Sequence, residues 1–390
     1  MFVTSTPDTK ARHLSPEHEE LVKATLPAVG ENIEKIAHSF YGKMFSAHPE
    51  LLRDTFNRAN QKSGEQQKAL AASVATFATM LVDDNAPDPV MLLDRIAHKH
   101  VSLGIREDQY PIVHDNLMAG IADVLGDAVT PEVGEAWSAV YWLMADVLIK
   151  HEKDLYASDG VVNGDVFRDV TVTAKEQLSD RVYTYTLEGD LSEPQPGQYT
   201  SVRVELEDGA RQLRQYSIIG GDASAYRIAG QIDGEVSHRL YEHVEVGDRL
   251  QASLAAGDLV LEEGDRPVVL MSSGIGSTPM VGMLAHLAAT EDDRKVLYVH
   301  ADEATETWAQ QAHTEELAES LTNLTVEARF RNDGDLVTVA EHDLAGADVY
   351  LCGGNVFLQV IRDAIEELPA ENAPASVHFE LFSPNDWLVN

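Results

Sequence analysis

The chain is poor in cysteine, poor in positive charge and without a long apolar run, and each shortage excludes something. Its one cysteine, Cys352, excludes an intramolecular disulfide, a cysteine-built zinc site and a thiolate-held iron–sulfur cluster. A lone thiol fits a reducing compartment, so a cytoplasmic protein is expected. Lys and Arg number 29 against 65 Asp and Glu, a formal net charge of −36. That field repels phosphate backbones and anionic membrane surfaces, so nucleic acid is a poor partner. No run of about 18 apolar residues occurs, so no transmembrane segment is expected. The first 15 residues are polar and lack the apolar stretch of a secretory signal.

What is present is ordinary globular material. The 390 residues are 44% hydrophobic and 24% charged, close to the roughly 45–50% and 25% of folded domains. At about 150 residues per domain, two or three domains are expected.

The hydrophobic period changes along the chain. Ile33, Ile36, Ala37, Phe40, Tyr41, Met44 and Phe45 mark one face of a helix that stops near His48-Pro49. Further helical stripes are Leu70, Val74, Phe77, Ala78 and Leu81, then Leu93, Ile96, Ala97, His100 and Val101. Ile112 to Leu125 and Trp137 to Leu155 carry two more. Ser158 to Asp165 is rich in Gly, Asp and Asn and has no period, as in a linker. Beyond it, short period-two runs such as Val182-Tyr183-Thr184-Tyr185 predict a small antiparallel barrel. From Arg266 onward, strands at Pro267–Met271, Lys295–His300, Leu324–Phe330, Asp348–Cys352 and Val377–Phe382 alternate with helices, which predicts a parallel α/β sheet. The expected plan is all-α over 11–156, a linker over 157–165, an antiparallel β-barrel over 166–263 and an α/β domain over 264–390.

Three segments carry chemistry. Strand Val268–Met271 runs into Gly274-Ile275-Gly276-Ser277-Thr278-Pro279 and a helix from Met280. Such a loop brings backbone N–H groups and a positive helix end to a pyrophosphate, although a ligand-free tight turn has the same look. Arg214-Gln215-Tyr216-Ser217 ends one alternating segment, and Gly234-Glu235-Val236-Ser237 opens a helical one. A guanidinium can pair with pyrophosphate and an aromatic ring can lie on a flavin, whereas composition alone reads a surface charge and a strand aromatic. In the helical part, His100 lies on the apolar stripe of Leu93 and Ile96, and Glu152 at the edge of the stripe of Ala145 and Leu148. A haem ligand with a carboxylate partner satisfies that placement, as does a core histidine beside a solvated glutamate.

In this order, the Arg214 motif, the Gly234 motif and the Gly274 loop resemble the ferredoxin-reductase family, in which a flavin barrel precedes a nicotinamide domain. Phe40-Tyr41-x-x-Met44-Phe45, Phe56-Asn57-x-x-Asn60-Gln61, Gln66-x-x-x-Leu70, Lys99-His100, Gln109-Tyr110 and Ile149-x-x-Glu152 resemble a globin. The whole chain, from about Leu14 to Phe382, is similar to the flavohaemoglobins, a globin fused to a flavin and nicotinamide module. The resemblance implies haem b, FAD and NAD(P)H as cofactors, and conversion of nitric oxide and dioxygen to nitrate. It makes His100 the axial iron ligand, Tyr110 and Glu152 its hydrogen-bonding partners, and Phe56 a ring on the haem. Tyr41, Gln66 and Leu70 become the distal pocket, and Lys99 lies between haem and flavin edges or is a plain exposed lysine. On the reductase side it implicates Tyr199, Arg214 to Ser217, Gly234 to Ser237, Gly274 to Pro279, and Phe382 against the flavin. It further implies a monomer with room for a lipid ligand in the haem pocket. An oxygen or nitric oxide store or sensor, and a flavin-driven haem reductase of peroxides, are the competing functions.

The chain departs from that family at Cys352-Gly353-Gly354, at Leu254-Ala255-Ala256-Gly257-Asp258 and at Leu381-Phe382-Ser383-Pro384. These bear on nicotinamide docking and hydride transfer. Asp302 and Glu303 follow the strand where a ribose 2′-hydroxyl should fall, which favours NADH over NADPH.

Overall fold

The structure is a computed structural model that describes residues 13–58, 65–82 and 90–382, with side chains placed from 73 and from 93 in the second and third stretches. The described chain up to Val166 forms one compact unit together with Glu205–Leu213, and Phe167–Val204 with Arg214 onward forms a second. Among the described residues, no helix is long and apolar enough to cross a membrane.

The first unit is helical. Its helices are α1 (Pro16–Glu31), α2 (Ile33–Ala47), α3 (Pro49–Asp54), α4 (Glu65–Val82), α5 (Val90–Leu103), α6 (Tyr110–Leu125) and α7 (Pro131–Ser158). Local chemistry sets their starts. Ser15 and Thr130 accept from the backbone N–H groups of His18 and Val133, and Pro16 and Pro131 follow them in the first turn, where a missing N–H costs nothing. The predicted stop of α2 falls at Ala47, and Pro49 opens the next helix. The apolar stripes meet in one core, with Ile36, Phe40, Tyr41, Met44, Leu93, Leu117, Trp137 and Tyr141 all inaccessible. Gly120 of α6 lets α2 come close, since a Cβ there would lie 3.1 Å from the Ile36 carbonyl oxygen.

Beyond Val166 the described chain forms two sheets. A closed six-stranded barrel runs β1-β2-β5-β4-β3-β6, with β1 Phe167–Gln177, β2 Val182–Glu188, β3 Tyr199–Glu205, β4 Arg211–Asp222, β5 Ala225–Gln231 and β6 Arg249–Ser253. Closure leaves no exposed edge. Arg214 to Ser217 do not end a segment, as the sequence suggested; they sit in the middle of β4, which continues through a bulge between Ile218 and Gly220. Helix α8 (Glu235–His243) follows β5 and packs Val236 and Leu240 inward.

The last part is a parallel sheet in the order β11-β10-β7-β8-β9, with β7 Val268–Ser273, β8 Val296–Asp302, β9 Leu324–Phe330, β10 Asp348–Cys352 and β11 Ser376–Glu380. Helices α9 (Ser277–Ala289), α10 (Gln311–Ser320) and α11 (Asn355–Glu366) connect the strands. Because β8 lies on one side of β7 and β10 on the other, the strand order reverses at β7. Ligands of such sheets bind at the carboxyl ends of strands beside that reversal.

Candidate functional site

In the helical unit, α5, α6 and α7 bring together three of the predicted residues. The His100 Nδ1 lies 2.7 Å from Glu152 Oε1 and 3.2 Å from the Tyr110 hydroxyl. The Tyr110 hydroxyl donates to the same glutamate oxygen at 2.5 Å. Glu152 is 3% exposed, so its charge is compensated by these two donors and not by water. Tyr141 fixes the backbone beneath, donating to the Tyr110 carbonyl at 2.8 Å. Burial, with the glutamate charge beside it, raises the Tyr110 hydroxyl far above the usual tyrosine value, which keeps it a donor. Both contacts of His100 use Nδ1, so Nε2 remains as its lone-pair donor.

Tyr41 is buried on α2 among rings: Phe40 at 4.5 Å, Phe45 at 5.4 Å and Phe56 at 5.9 Å between centroids. Phe56 meets Phe45 edge to face at 5.3 Å. Its backbone is held by Gln212, which is fully buried. Gln212 donates to the carbonyls of Arg53 at 2.9 Å and of Leu52 and Phe56 at 3.2 Å, and accepts from the Arg58 N–H. The amide thus satisfies carbonyls that α3 leaves open at its end. Gln66 and Leu70 lie in α4, in a turn whose side chains fall outside the described residues. Lys99 is exposed on α5.

In the barrel, Arg214 and Gln215 are half-buried on β4, and Gln215 donates to Ser201 at 3.0 Å. Tyr216 is buried against Gly230, where a Cβ would lie 2.8 Å from its ring. Tyr199 exchanges two backbone hydrogen bonds with Ala256, and its ring covers Gly257, where a Cβ would come within 3.0 Å. Gly234 has a φ of +83°, which turns the chain into α8. Ser237 then accepts from the Asp233 N–H at 2.6 Å and donates to the Gly234 carbonyl at 3.1 Å, closing that loop on itself.

The glycine loop lies at the strand reversal. Gly274 turns with a φ of +53°, and a Cβ on Gly276 would sit 2.4 Å from the Cys352 carbonyl oxygen. The ends of β7 and β10 therefore touch through Gly276 and Gly353, and Gly354 N–H donates to Ser273 at 3.2 Å. Helix α9 starts at Ser277, not at Met280 as predicted, so Thr278 and Pro279 belong to its first turn. Thr278 donates to the Ile275 carbonyl at 2.9 Å and to Ser217 at 3.1 Å, which joins the glycine loop to the Arg214 motif. Phe382 stands at the end of the described chain, 50% exposed. Ser383 and Pro384 lie outside the described residues.

Beneath the loop runs a buried chain that sequence reasoning missed. Ser272 lies 3.0 Å from the Tyr298 hydroxyl and 2.8 Å from His300 Nδ1; His300 Nε2 lies 3.4 Å from Asp302, and Trp308 stacks on the imidazole at 4.8 Å. Burial drives His300 below the ordinary histidine value, against the opposite pull of Asp302. The unfolded chain therefore takes up this proton first as pH falls. Stability that is present above about pH 6.5 is lost below it, by up to about 1.4 kcal/mol per pH unit. The melting temperature should fall between pH 7.5 and 5.5, and fall less in His300→Gln; equal losses in both proteins would acquit His300.

Comparison with known proteins agrees with this architecture. A globin family model matches residues 38–148. A flavohemoglobin from Malassezia yamatoensis, solved with bound FAD and heme, superposes with a TM-score of 0.88 at 32% identity, covering 95% of this chain and all of that one. The Flavohemoprotein of Bordetella parapertussis is 39% identical over 402 residues, which span 95% of this chain and 98% of that protein. The chain belongs to the flavohaemoproteins. That of Bacillus subtilis is 34% identical over 94% of this chain and 96% of its own length.

In this flavohaemoprotein the predicted residues gather as two sets. His100, Tyr110 and Glu152 form one directly bonded cluster, with Tyr41 and Phe56 in a ring cluster of the same unit. In the other unit, the Thr278–Ser217 hydrogen bond unites the Gly274 and Arg214 motifs. Gln212 and His300 carried no motif. Gln212 directly follows an exposed Arg211 and has no local signal in the sequence, so only tertiary burial reveals it.

Proposed function

We propose that this flavohaemoprotein is an NADH-dependent nitric oxide dioxygenase, which turns nitric oxide and dioxygen into nitrate. The observation that carries the reading is the His100–Glu152–Tyr110 cluster, in a chain with its own nicotinamide module. A passive oxygen or nitric oxide store needs no reductase.

The residues fit the groups the family carries. A single imidazole with Nδ1 tied to a carboxylate and Nε2 left over fits haem b, whose iron His100 would hold. The glycine loop leads into the N-terminus of a 13-residue helix, whose unpaired N–H groups suit the pyrophosphate of a dinucleotide, and Gly276, where no Cβ fits beside the Cys352 carbonyl, packs that loop on the end of β10. Arg214, Gln215, Tyr216 and Ser217, with Tyr199 and Gly234 to Ser237, would hold FAD. Gly274 to Pro279 would hold the nicotinamide dinucleotide, and Phe382 would cover the flavin. When bound, haem supplies the iron at which dioxygen is activated toward nitric oxide, and FAD divides a two-electron donor into one-electron steps.

The chain's own residues set the conditions. Glu152 accepts the His100 Nδ1–H, which gives the imidazole anionic character and raises its donor strength. Tyr110 fixes the accepting oxygen, so the imidazole plane cannot turn freely. Tyr41 offers a hydroxyl donor among apolar rings, where a hydrogen bond to developing negative charge is stronger than in water. Gln66, Leu70 and Lys99 would complete the pocket and its rim.

Removing the Tyr41 hydroxyl tests the site. Tyr41→Phe should lose one charge-assisted hydrogen bond of about 1.5–3 kcal/mol, so dioxygen dissociates about 10–100-fold faster. An unchanged rate would leave Tyr41 as a core aromatic only.

For the donor, Asp302 is pinned by Thr307 at 2.6 Å and by the Glu303 N–H at 2.7 Å, and Glu303 is ion-paired with Arg331. Carboxylates held there accept from a ribose hydroxyl and repel a 2′-phosphate. NADH should therefore have the higher kcat/KM, and an equal or higher value for NADPH would contradict this.

A further inference from the structure

We propose that Asp94, His98 and His151 form a site for a divalent transition-metal ion of the zinc class, fastening helix α5 to helix α7. Asp94 and His98 are four residues apart on α5 and so share one face, while His151 comes from α7. One oxygen of Asp94 lies 2.5 Å from His151 Nε2 and 3.9 Å from His98 Nε2. All three ligating atoms fall within 4.8 Å of one another. The imidazoles meet edge to face, 81° between planes and 6.0 Å between centroids, and do not stack. Both Nε2 atoms can therefore face one point between the helices.

A tetrahedral ion with bonds of about 2.0–2.1 Å sets its ligand atoms about 3.3 Å apart. Reaching that spacing takes shifts of about an ångström, which side-chain rotation supplies without moving either helix. The side chains are 39%, 16% and 20% exposed for Asp94, His98 and His151, so a water can take the fourth position from solvent. Two imidazoles and one carboxylate suit Zn²⁺, Ni²⁺ or Cu²⁺, and not Mg²⁺ or Ca²⁺, which prefer oxygen ligands. The net charge of −36 raises the local concentration of cations.

The location gives the site a consequence. His98 precedes His100 by two residues and His151 directly precedes Glu152, so the same two helices carry the His100–Glu152 hydrogen bond. A bound ion would hold them together beside that bond. Without an ion, the Asp94–His151 hydrogen bond would tie the helices beside the His100–Glu152 one, with His98 Nε2 3.9 Å from the same aspartate oxygen.

Titration calorimetry of the full-length protein, loaded with haem and FAD, with ZnCl2 as the probe, separates these cases. The parent protein should show one saturable Zn²⁺ site that is lost in His98→Ala and in His151→Ala, with unchanged circular dichroism. Zn²⁺ should raise the melting temperature of the parent and of neither variant, and MgCl2 should do neither. The proposal is overturned by no saturable binding to the parent, or by His98→Ala binding Zn²⁺ with the parent's stoichiometry and affinity. Haem content, read by absorbance on the same samples, shows separately whether a loss of Zn²⁺ binding comes from loss of haem.

Discussion

Replacing His100 by alanine should strip haem from the protein and leave FAD in place. No C-x-x-C-H sequence is present to attach haem covalently, so a bond from His100 and apolar contact would have to hold it. The substitution removes that bond and also leaves Glu152, which is 3% exposed, with Tyr110 as its remaining donor. An undercompensated buried carboxylate disfavours the closed proximal pocket by itself. FAD retention should not depend on this, because the residues proposed to hold it, Arg214 to Ser217 and Tyr199, belong to the other unit. Absorbance of the purified variant, with FAD measured after extraction, should show flavin without a Soret band. Full haem content in the variant would mean that another residue is the ligand.

The second large effect concerns the glycine loop. In Gly276→Ala the new Cβ would meet the Cys352 carbonyl oxygen at 2.4 Å and the Gly353 Cα at 2.7 Å, both backbone atoms that cannot swing aside. Reaching ordinary contact, at 3.4 Å, forces the ends of β7 and β10 apart by about an ångström. A displacement of that size at a positioning site costs about 100-fold in rate. Flavin reduction by NADH, followed anaerobically by stopped flow, should slow by that factor while FAD and haem contents stay at parent levels. A rate equal to the parent's would remove the loop from nicotinamide binding. The same geometry accounts for Gly353, whose Cβ would lie 2.2 Å from Ser273 Oγ. The Cys-Gly-Gly sequence is thus part of a tight junction, although it departs from the family's usual loop.

What the sequence disclosed followed the range of each signal. Helical stripes and strand runs are local, so the all-α, barrel and parallel-sheet plan was legible from periodicity. The start of α9 was not, because Thr278-Pro279 looks like loop until Pro279 is seen in a first turn, where it loses nothing. The Arg214 motif seemed to end a strand because its alternation breaks at the Ile218–Gly220 bulge, a feature of pairing with β5. Glu152 is 52 residues from His100, and no spacing rule joins them. Family resemblance suggested the pair, and packing of α5 against α7 makes it. Gln212, His300 and the third member of the Asp94 cluster were invisible for the same reason. Each is a polar residue with a partner far along the chain, Ser272 in the case of His300.

As proposed, this flavohaemoprotein should oxidise nitric oxide to nitrate at the expense of NADH. The most direct test mixes protein, reduced anaerobically with NADH, with dioxygen and then with measured nitric oxide, and assays nitrate, nitrite and nitrous oxide. One nitrate should form for each nitric oxide consumed, with catalytic turnover sustained only while NADH remains. Nitrous oxide as the main product, or nitric oxide bound without turnover, would contradict it.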